Sequence, residues 1–129
     1  MYKRQDYSFD QIKNATGYDH NWCLNTYKDG KGDDKTVCAS LYSPKSGILL
    51  EVFTNEPGIQ VYTGNFQGTG IACKHGIKYP KHVSVCFESQ KYPDSPTKIA
   101  QGVKGWTDAT LKPGEKYYSH LAYKFSVKK

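Results

Sequence analysis

Short runs in which apolar residues recur at every second position fill most of this chain, and period two rather than 3.6 is what most restricts its fold. Residues two apart share one face of a β-strand, so each run presents an apolar and a polar side. The runs cover residues 21–26, 36–42, 48–54, 58–63, 83–89, a weak one at 109–111, and 116–127. Gly, Pro, Asn and Asp separate them, as expected of strands joined by turns. Ser43-Pro44-Lys45-Ser46-Gly47 reads as a hairpin connection, and Leu111-Lys112-Pro113-Gly114-Glu115 turns the chain into its last strand. In that last run Tyr117, Leu121, Tyr123, Phe125 and Val127 fall on one side and are assigned to the core; Tyr118, His120, Lys124 and Ser126 fall on the other. Residues 92–110 contain Pro93, Pro96, Gly102 and Gly105 with little alternation and read as a long loop. The expectation is an all-β, antiparallel β-sandwich in one domain, with no internal repeat or linker.

Composition narrows the partners. The chain has 129 residues, 18 Lys+Arg against 12 Asp+Glu, and 14% aromatic content, too aromatic for a disordered chain. The positive charges are scattered among turns, as in Lys28-Asp29-Gly30-Lys31-Gly32, and Arg4 is the only arginine. That distribution argues against a nucleic-acid partner, which would select a basic face with interleaved aromatics. No apolar run approaches the roughly 20 residues that span a bilayer, so no membrane partner is expected. Cys23, Cys38, Cys73 and Cys86 show no Cys-x-x-Cys pair and no histidine at zinc-finger spacing, so no metal site is expected. Cys23, Cys38 and Cys86 lie in apolar or β-like runs, where a free thiol acts as a small core residue, although the sequence leaves disulfide pairing open.

Three clusters carry possible chemistry. Alternation in Val83-Ser84-Val85-Cys86-Phe87-Glu88-Ser89-Gln90 puts Glu88 on a semi-polar face with Ser84, Cys86 and Gln90. A carboxylate in a partly desolvated cleft is the raw material of a general base, whereas composition alone favours a solvated strand-end glutamate. Gly17-Tyr18-Asp19-His20-Asn21-Trp22 places donors and acceptors just ahead of a strand, an arrangement that turns also use to satisfy backbone N–H groups. In Glu56-Pro57-Gly58-Ile59-Gln60-Val61-Tyr62-Thr63-Gly64-Asn65-Phe66, Gln60 and Tyr62 share a face opposite Ile59 and Val61. An amide beside an aromatic ring suits a sugar, with hydroxyls to bond and a C–H face to stack. Of the tryptophans, Trp22 reads as core and Trp106 is open between core and sugar platform. His20 is read as ordering its loop, and His75, His82 and His120 as turn or exposed strand residues.

At these clusters, then at Pro93-Asp94-Ser95-Pro96 and Leu111-Lys112-Pro113-Gly114-Glu115, the chain resembles the aldose 1-epimerases, or galactose mutarotases, with five motifs in family order. The resemblance extends from about residue 17 to Tyr123-Lys124-Phe125-Ser126-Val127 and corresponds to the C-terminal part of the family's domain. It implies a fragment of a mutarotase-type supersandwich and a reaction that interconverts the α and β anomers of a hexose such as galactose or glucose, without cofactor or metal. In such enzymes a glutamate takes the proton of the anomeric hydroxyl while a histidine protonates the ring oxygen. The ring then opens, the C1–C2 bond rotates and closure gives the other anomer. The catalytic glutamate matches Glu88, and the sugar-binding aspartate and glutamine match Asp19 and Gln60.

The departures also shape the expectation. The family's acid histidine lies in an upstream Asn-His-x-Tyr-Phe-Asn type segment, and none of His20, His75, His82 or His120 has that surrounding. An upstream Asn-Arg pair and a second histidine of the family's sugar site have no match either. Phe87 and Ser89 stand where Leu and Thr are commoner, and residues 98–107 depart from the usual loop. Met1-Tyr2-Lys3-Arg4-Gln5 is the translation of GTGTATAAGAGACAG read from a GTG start, a string that resembles a transposon adapter of sequencing libraries. Residues 1–5 are therefore expected to be an adapter-derived scar, and residues 6–129 the C-terminal part of a single domain whose native frame begins upstream. Taken alone, the fragment is expected to be inactive because it carries the base without the acid. The competing reading is a non-catalytic carbohydrate-binding β-sandwich that keeps Asp19 and Gln60 for sugar contact.

Overall fold

Ile48-Leu49-Leu50-Glu51-Val52-Phe53-Thr54 is dense in residues that fit a pleated surface, and it forms the central strand of a sheet. The computed structural model describes residues 6–68, 70 and 72–128. In chain order the elements are α1 (Asp10–Asn14), β1 (Asp19–Cys23), β2 (Tyr27–Lys28), β3 (Lys31–Gly32), β4 (Ala39–Tyr42), β5 (Ile48–Thr54), β6 (Gly58–Tyr62), β7 (Cys86–Gln90), α2 (Ser95–Ala100) and β8 (Leu121–Val127). A single 3-10 turn, Lys74–Gly76, lies between β6 and β7. The chain is nearly all-β, as its periodicity predicts. It divides into two compact units, one built from residues up to Trp22 with Gln60–Glu88, the other from Cys23–Ile59 with Ser89–Lys129.

The second unit holds the sheet β4-β5-β8, antiparallel throughout, with Leu41 opposite Leu50, and Leu50 opposite Phe125. The β4–β5 turn closes as the sequence predicts: Ser43 N–H donates to the Ile48 carbonyl at 3.0 Å and Gly47 N–H to the Ser43 carbonyl at 2.8 Å. Val52 and Thr54 are fully buried, and Leu24, Leu49 and Ile59 complete this unit's apolar core. The Thr54 hydroxyl leaves no buried polar orphan, because it donates to the His120 carbonyl at 2.9 Å and accepts from Glu56 N–H at 3.2 Å.

In the first unit, Ile12 of α1 is buried and the loop after β6 is tied back to the loop before β1. Asn65, fully buried, donates through Nδ2 to the carbonyls of Ala15 and Tyr18, each at 3.0 Å, and its Oδ1 accepts from Thr63 Oγ1 at 2.8 Å. Thr63 Oγ1 also accepts from Tyr18 N–H at 3.0 Å. Gly64 between them has φ +72°, and a Cβ there would meet Ser84 Oγ at 2.7 Å and Gln67 Oε1 at 2.8 Å, so the turn requires glycine.

Several expectations are corrected. The face of the last strand assigned to the core is exposed: Leu121 by 43%, Phe125 by 69% and Val127 by 68%, with Tyr117 exposed outside the strand. Its half-buried positions are Ala122 and Ser126. Alternation identifies which side chains share a face but not how much of that face is covered: Val52 and Thr54, opposite Tyr123 and Leu121 on the same face, are fully buried, while the large side chains of β8 are not. The run at 21–26 begins earlier, as β1, and ends at Cys23, while residues 109–111 and 116–120 form no strand. Within the predicted loop 92–110, Pro96 sits in the first turn of α2, where its missing N–H is no loss. Trp22 and Cys23 are exposed rather than core. No disulfide joins the cysteines among the described residues; Cys38, whose Sγ contacts the Val52 carbonyl at 3.2 Å, has its thiol pKa pushed up by burial. The proposed scar, residues 1–5, lies outside the described residues.

Candidate functional site

The sheet β1-β6-β7 brings the three sequence-predicted residues onto neighbouring strands, with β6 in the centre. β1 and β6 run in opposite directions: Thr63 N–H donates to the Tyr18 carbonyl at 3.0 Å beyond one end and Leu24 N–H to the Pro57 carbonyl at 2.9 Å beyond the other. Asp19 comes from β1, Gln60 from β6 and Glu88 from β7, all within the first unit. Gln60 Nε2 donates to Asp19 Oδ1 at 2.8 Å, so these two side chains, 41 residues apart in sequence, meet directly. Both are half-buried, where a hydrogen bond to a carboxylate is stronger than at a wet surface.

Two buried polar atoms near this pair are left open. Gln60 Oε1 is buried without a hydrogen-bond partner among the described residues, and so is Nδ2 of Asn21, which alternation places on the Asp19 face of β1. A buried acceptor and a buried donor left open beside a bonded Asp–Gln pair fit a ligand that offers hydroxyls, each of which donates and accepts. Asn21 had a sequence signal, its two-residue spacing from Asp19, but its role emerges only with the orphaned amide. Beside these residues, His20 Nδ1 accepts the Asp19 N–H at 3.0 Å and orders the entry to β1, as read from the sequence.

Glu88 is exposed, while Cys86, Phe87, Ser89 and Gln90 around it on β7 are half-buried. Glu88 thus stands as the solvated strand-end glutamate that composition favours, and the partly desolvated cleft that a general base would use is not formed by the described residues.

The second unit has its own partly buried ion pair. Glu56, 2% exposed, lies two residues before β6, and its Oε2 receives Lys91 Nζ, the residue directly after β7, at 2.8 Å. Sequence reading missed this pair because the residues are 35 apart in sequence, with no local pattern to join them. Beyond Lys91, Tyr92 packs edge-on against Trp106, with ring centroids 5.7 Å apart and planes at 72°. Trp106 Nε1 donates to the Pro93 carbonyl at 3.0 Å, and Ser95 Oγ donates to the Thr107 carbonyl, so the loop after α2 folds back on the start of that helix. Trp106 thus has a structural partner in this unit.

Desolvation, with a hydrogen bond to Cys23 behind it, pushes Tyr92 up to about 12 from its ordinary 10.0. The folded-state pKa exceeds the unfolded one, so the associated stability is fully present below pH 10 and is lost as pH rises through about 12. A spectrophotometric phenol titration is expected to show a late-ionising component, and Tyr92→Phe to reduce it.

Among the described residues no group of three or more His, Cys, Asp or Glu is placed to hold a metal ion, and no helix is long and apolar enough to cross a membrane.

Comparison with known proteins covers the residues that build this geometry. A family described as Aldose 1-epimerase matches residues 2–124. Galactose mutarotase of Mus musculus is 41% identical over 111 residues, covering 86% of this chain and 30% of that protein. Aldose 1-epimerase of Escherichia coli K12 is 35% identical over 118 residues, covering 90% of this chain and 31% of that protein. The crystal structure of a GalM/aldose epimerase homologue from C. elegans superposes with a TM-score of 0.66 at 25% identity, covering 87% of this chain and 30% of that one. The chain thus spans about 30% of the length of the relatives it matches. With 123 contiguous residues under the family match and the Asp19–Gln60 contact made within them, the chain belongs to the aldose 1-epimerase family.

Proposed function

We propose that this chain carries the base and part of the sugar site of a hexose mutarotase, an isomerase acting on an aldohexose such as galactose or glucose. Asp19 and Gln60 bond the sugar hydroxyls, and Glu88 takes the proton of the anomeric hydroxyl. As that O–H bond breaks, the electron pair forms the C1 carbonyl and the C1–O5 bond opens, while an acid delivers a proton to the ring oxygen. Rotation about C1–C2 and reversal of the two proton transfers close the other anomer, so no redox partner is consumed. In this reading residues 6–129 are the C-terminal part of one domain, and the acid comes from the portion of the relatives' length that this chain does not span.

The observation that carries the proposal is the 2.8 Å bond from Gln60 to Asp19, together with the unpaired Gln60 Oε1 beside it. A binding-only reading draws on one observation, the exposure of Glu88. Polarimetry of freshly dissolved α-galactose separates the two. The chain alone is expected to be slower than the complete gene product by about 10² to 10⁴, the share that a positioned acid contributes. Equal rates for the two would overturn the assignment of the acid, and a complete product that binds galactose without speeding mutarotation would establish the binding-only reading.

A further inference from the structure

We propose that Thr63 and Asn65 are positioning residues for hexose binding, a latch that holds the main chain at Tyr18 so that the next residue, Asp19, presents its carboxylate to Gln60; this rests on the sugar-site reading above. Two side chains from the loop after β6 grip both polar groups of one peptide-bonded residue. Tyr18 N–H donates to Thr63 Oγ1 at 3.0 Å, and the Tyr18 carbonyl accepts Asn65 Nδ2 at 3.0 Å as well as Thr63 N–H at 3.0 Å. Asn65 Oδ1 accepts the Thr63 hydroxyl at 2.8 Å, so the two side chains also orient one another.

Burial makes the arrangement specific. Asn65 is fully buried and Thr63 nearly so, and a polar side chain in such a place keeps its orientation only while its partners stay where they are. The second Nδ2 bond, to the Ala15 carbonyl at 3.0 Å, fixes the approach to Tyr18 from the α1 side. Thr63 immediately follows β6, three residues after Gln60, and Tyr18 immediately precedes β1 and Asp19. The latch therefore ties the end of one sugar-binding strand to the start of the other, within the first unit. An Asp–Gln contact with a 2.8 Å donor–acceptor distance leaves little room for backbone drift, since hydrogen bonds weaken steeply once distance and angle are lost.

The test uses the isotope-labelled full chain and two NMR readouts, solvent exchange of the Gln60 side-chain amide protons and affinity for D-galactose. Thr63→Val keeps the shape and removes the hydroxyl. It is expected to speed the exchange and raise the galactose Kd, each by about tenfold, the equivalent of one lost net hydrogen bond. Thr63→Ser restores the hydroxyl and should return both readouts to within about twofold of the parent, a rescue that bulk packing would not produce. Asn65→Leu should shift both in the same direction as Thr63→Val. Val52→Ala, a cavity in the other unit, lowers stability but should leave both readouts of the folded chain unmoved.

Unchanged exchange and affinity in Thr63→Val would overturn the latch, as would faster exchange with unaltered affinity. Gln60→Ala tests the underlying site separately. If it leaves galactose affinity unchanged, the sugar-site reading fails and the positioning role falls with it. If it abolishes binding while Thr63→Val has no effect, the site stands and the latch alone is wrong.

Discussion

Replacing Glu88 with glutamine in the complete gene product is expected to slow mutarotation by about 10² to 10⁴, with galactose affinity nearly unchanged. Glutamine keeps the size of the side chain and its capacity to hydrogen-bond but cannot take up the proton of the anomeric hydroxyl. The loss should therefore fall on turnover rather than on binding, the reverse of what Gln60→Ala should do. The exchange of Glu for Gln is nearly isosteric, and Glu88 is exposed on β7 of this chain, so the folded state should be retained. Polarimetry for the rate and an unchanged thermal transition for the fold check the two halves of this expectation. Near-normal mutarotation would remove Glu88 from the mechanism.

Lys91→Met is expected to cost about 3 kcal/mol of stability, because it strands a buried carboxylate without its counter-charge. Glu56 has only 3% of its side chain exposed, and Lys91 Nζ at 2.8 Å is the cation that offsets its desolvation; Lys91 itself is 31% exposed and still partly hydrated. Glu56→Gln should cost less, since it leaves a lysine able to reach water. The double variant Glu56→Gln with Lys91→Met should recover much of the loss, because the penalty comes from the unpaired charge more than from the missing attraction. Urea denaturation of the four proteins reads the coupling directly. Additive losses would mean that the pair does not interact energetically.

How far the fold was legible depended on whether its determinants were local. Ile48–Thr54 could be read to the residue, because Ile48, Val52, Phe53 and Thr54 favour a strand and the Pro44–Gly47 turn marks its start. β1 was displaced because Asp19 and His20 are weak strand formers, and they join the sheet through tertiary pairing and the Tyr18 contacts. α2 escaped notice because Pro93 and Pro96 punctuate its surroundings as they would a loop, although proline is compatible with a first helical turn. At the site, Asp19, Gln60 and Glu88 were reached through motif resemblance, and period two supplied only their faces. Nothing local linked Thr63 and Asn65 to Tyr18, or Glu56 to Lys91, since those contacts close across 35 to 47 residues. The face of β8 failed for a different reason: alternation reports which residues are alike, and covering a face is a property of whatever lies opposite.

The exposed part of that face sets the colloidal behaviour of the chain. Leu41, Ile48, Leu121, Tyr123, Phe125 and Val127 put an apolar surface on the β4-β5-β8 sheet, and the net charge of +6 is the main force that keeps one such surface away from another. Charge repulsion reaches only about 10 Å at 0.1 M salt and shrinks as salt rises, whereas the attraction between apolar faces does not weaken. The molecule therefore resembles a charged colloid with one adhesive side, and ionic strength decides whether its molecules stay apart.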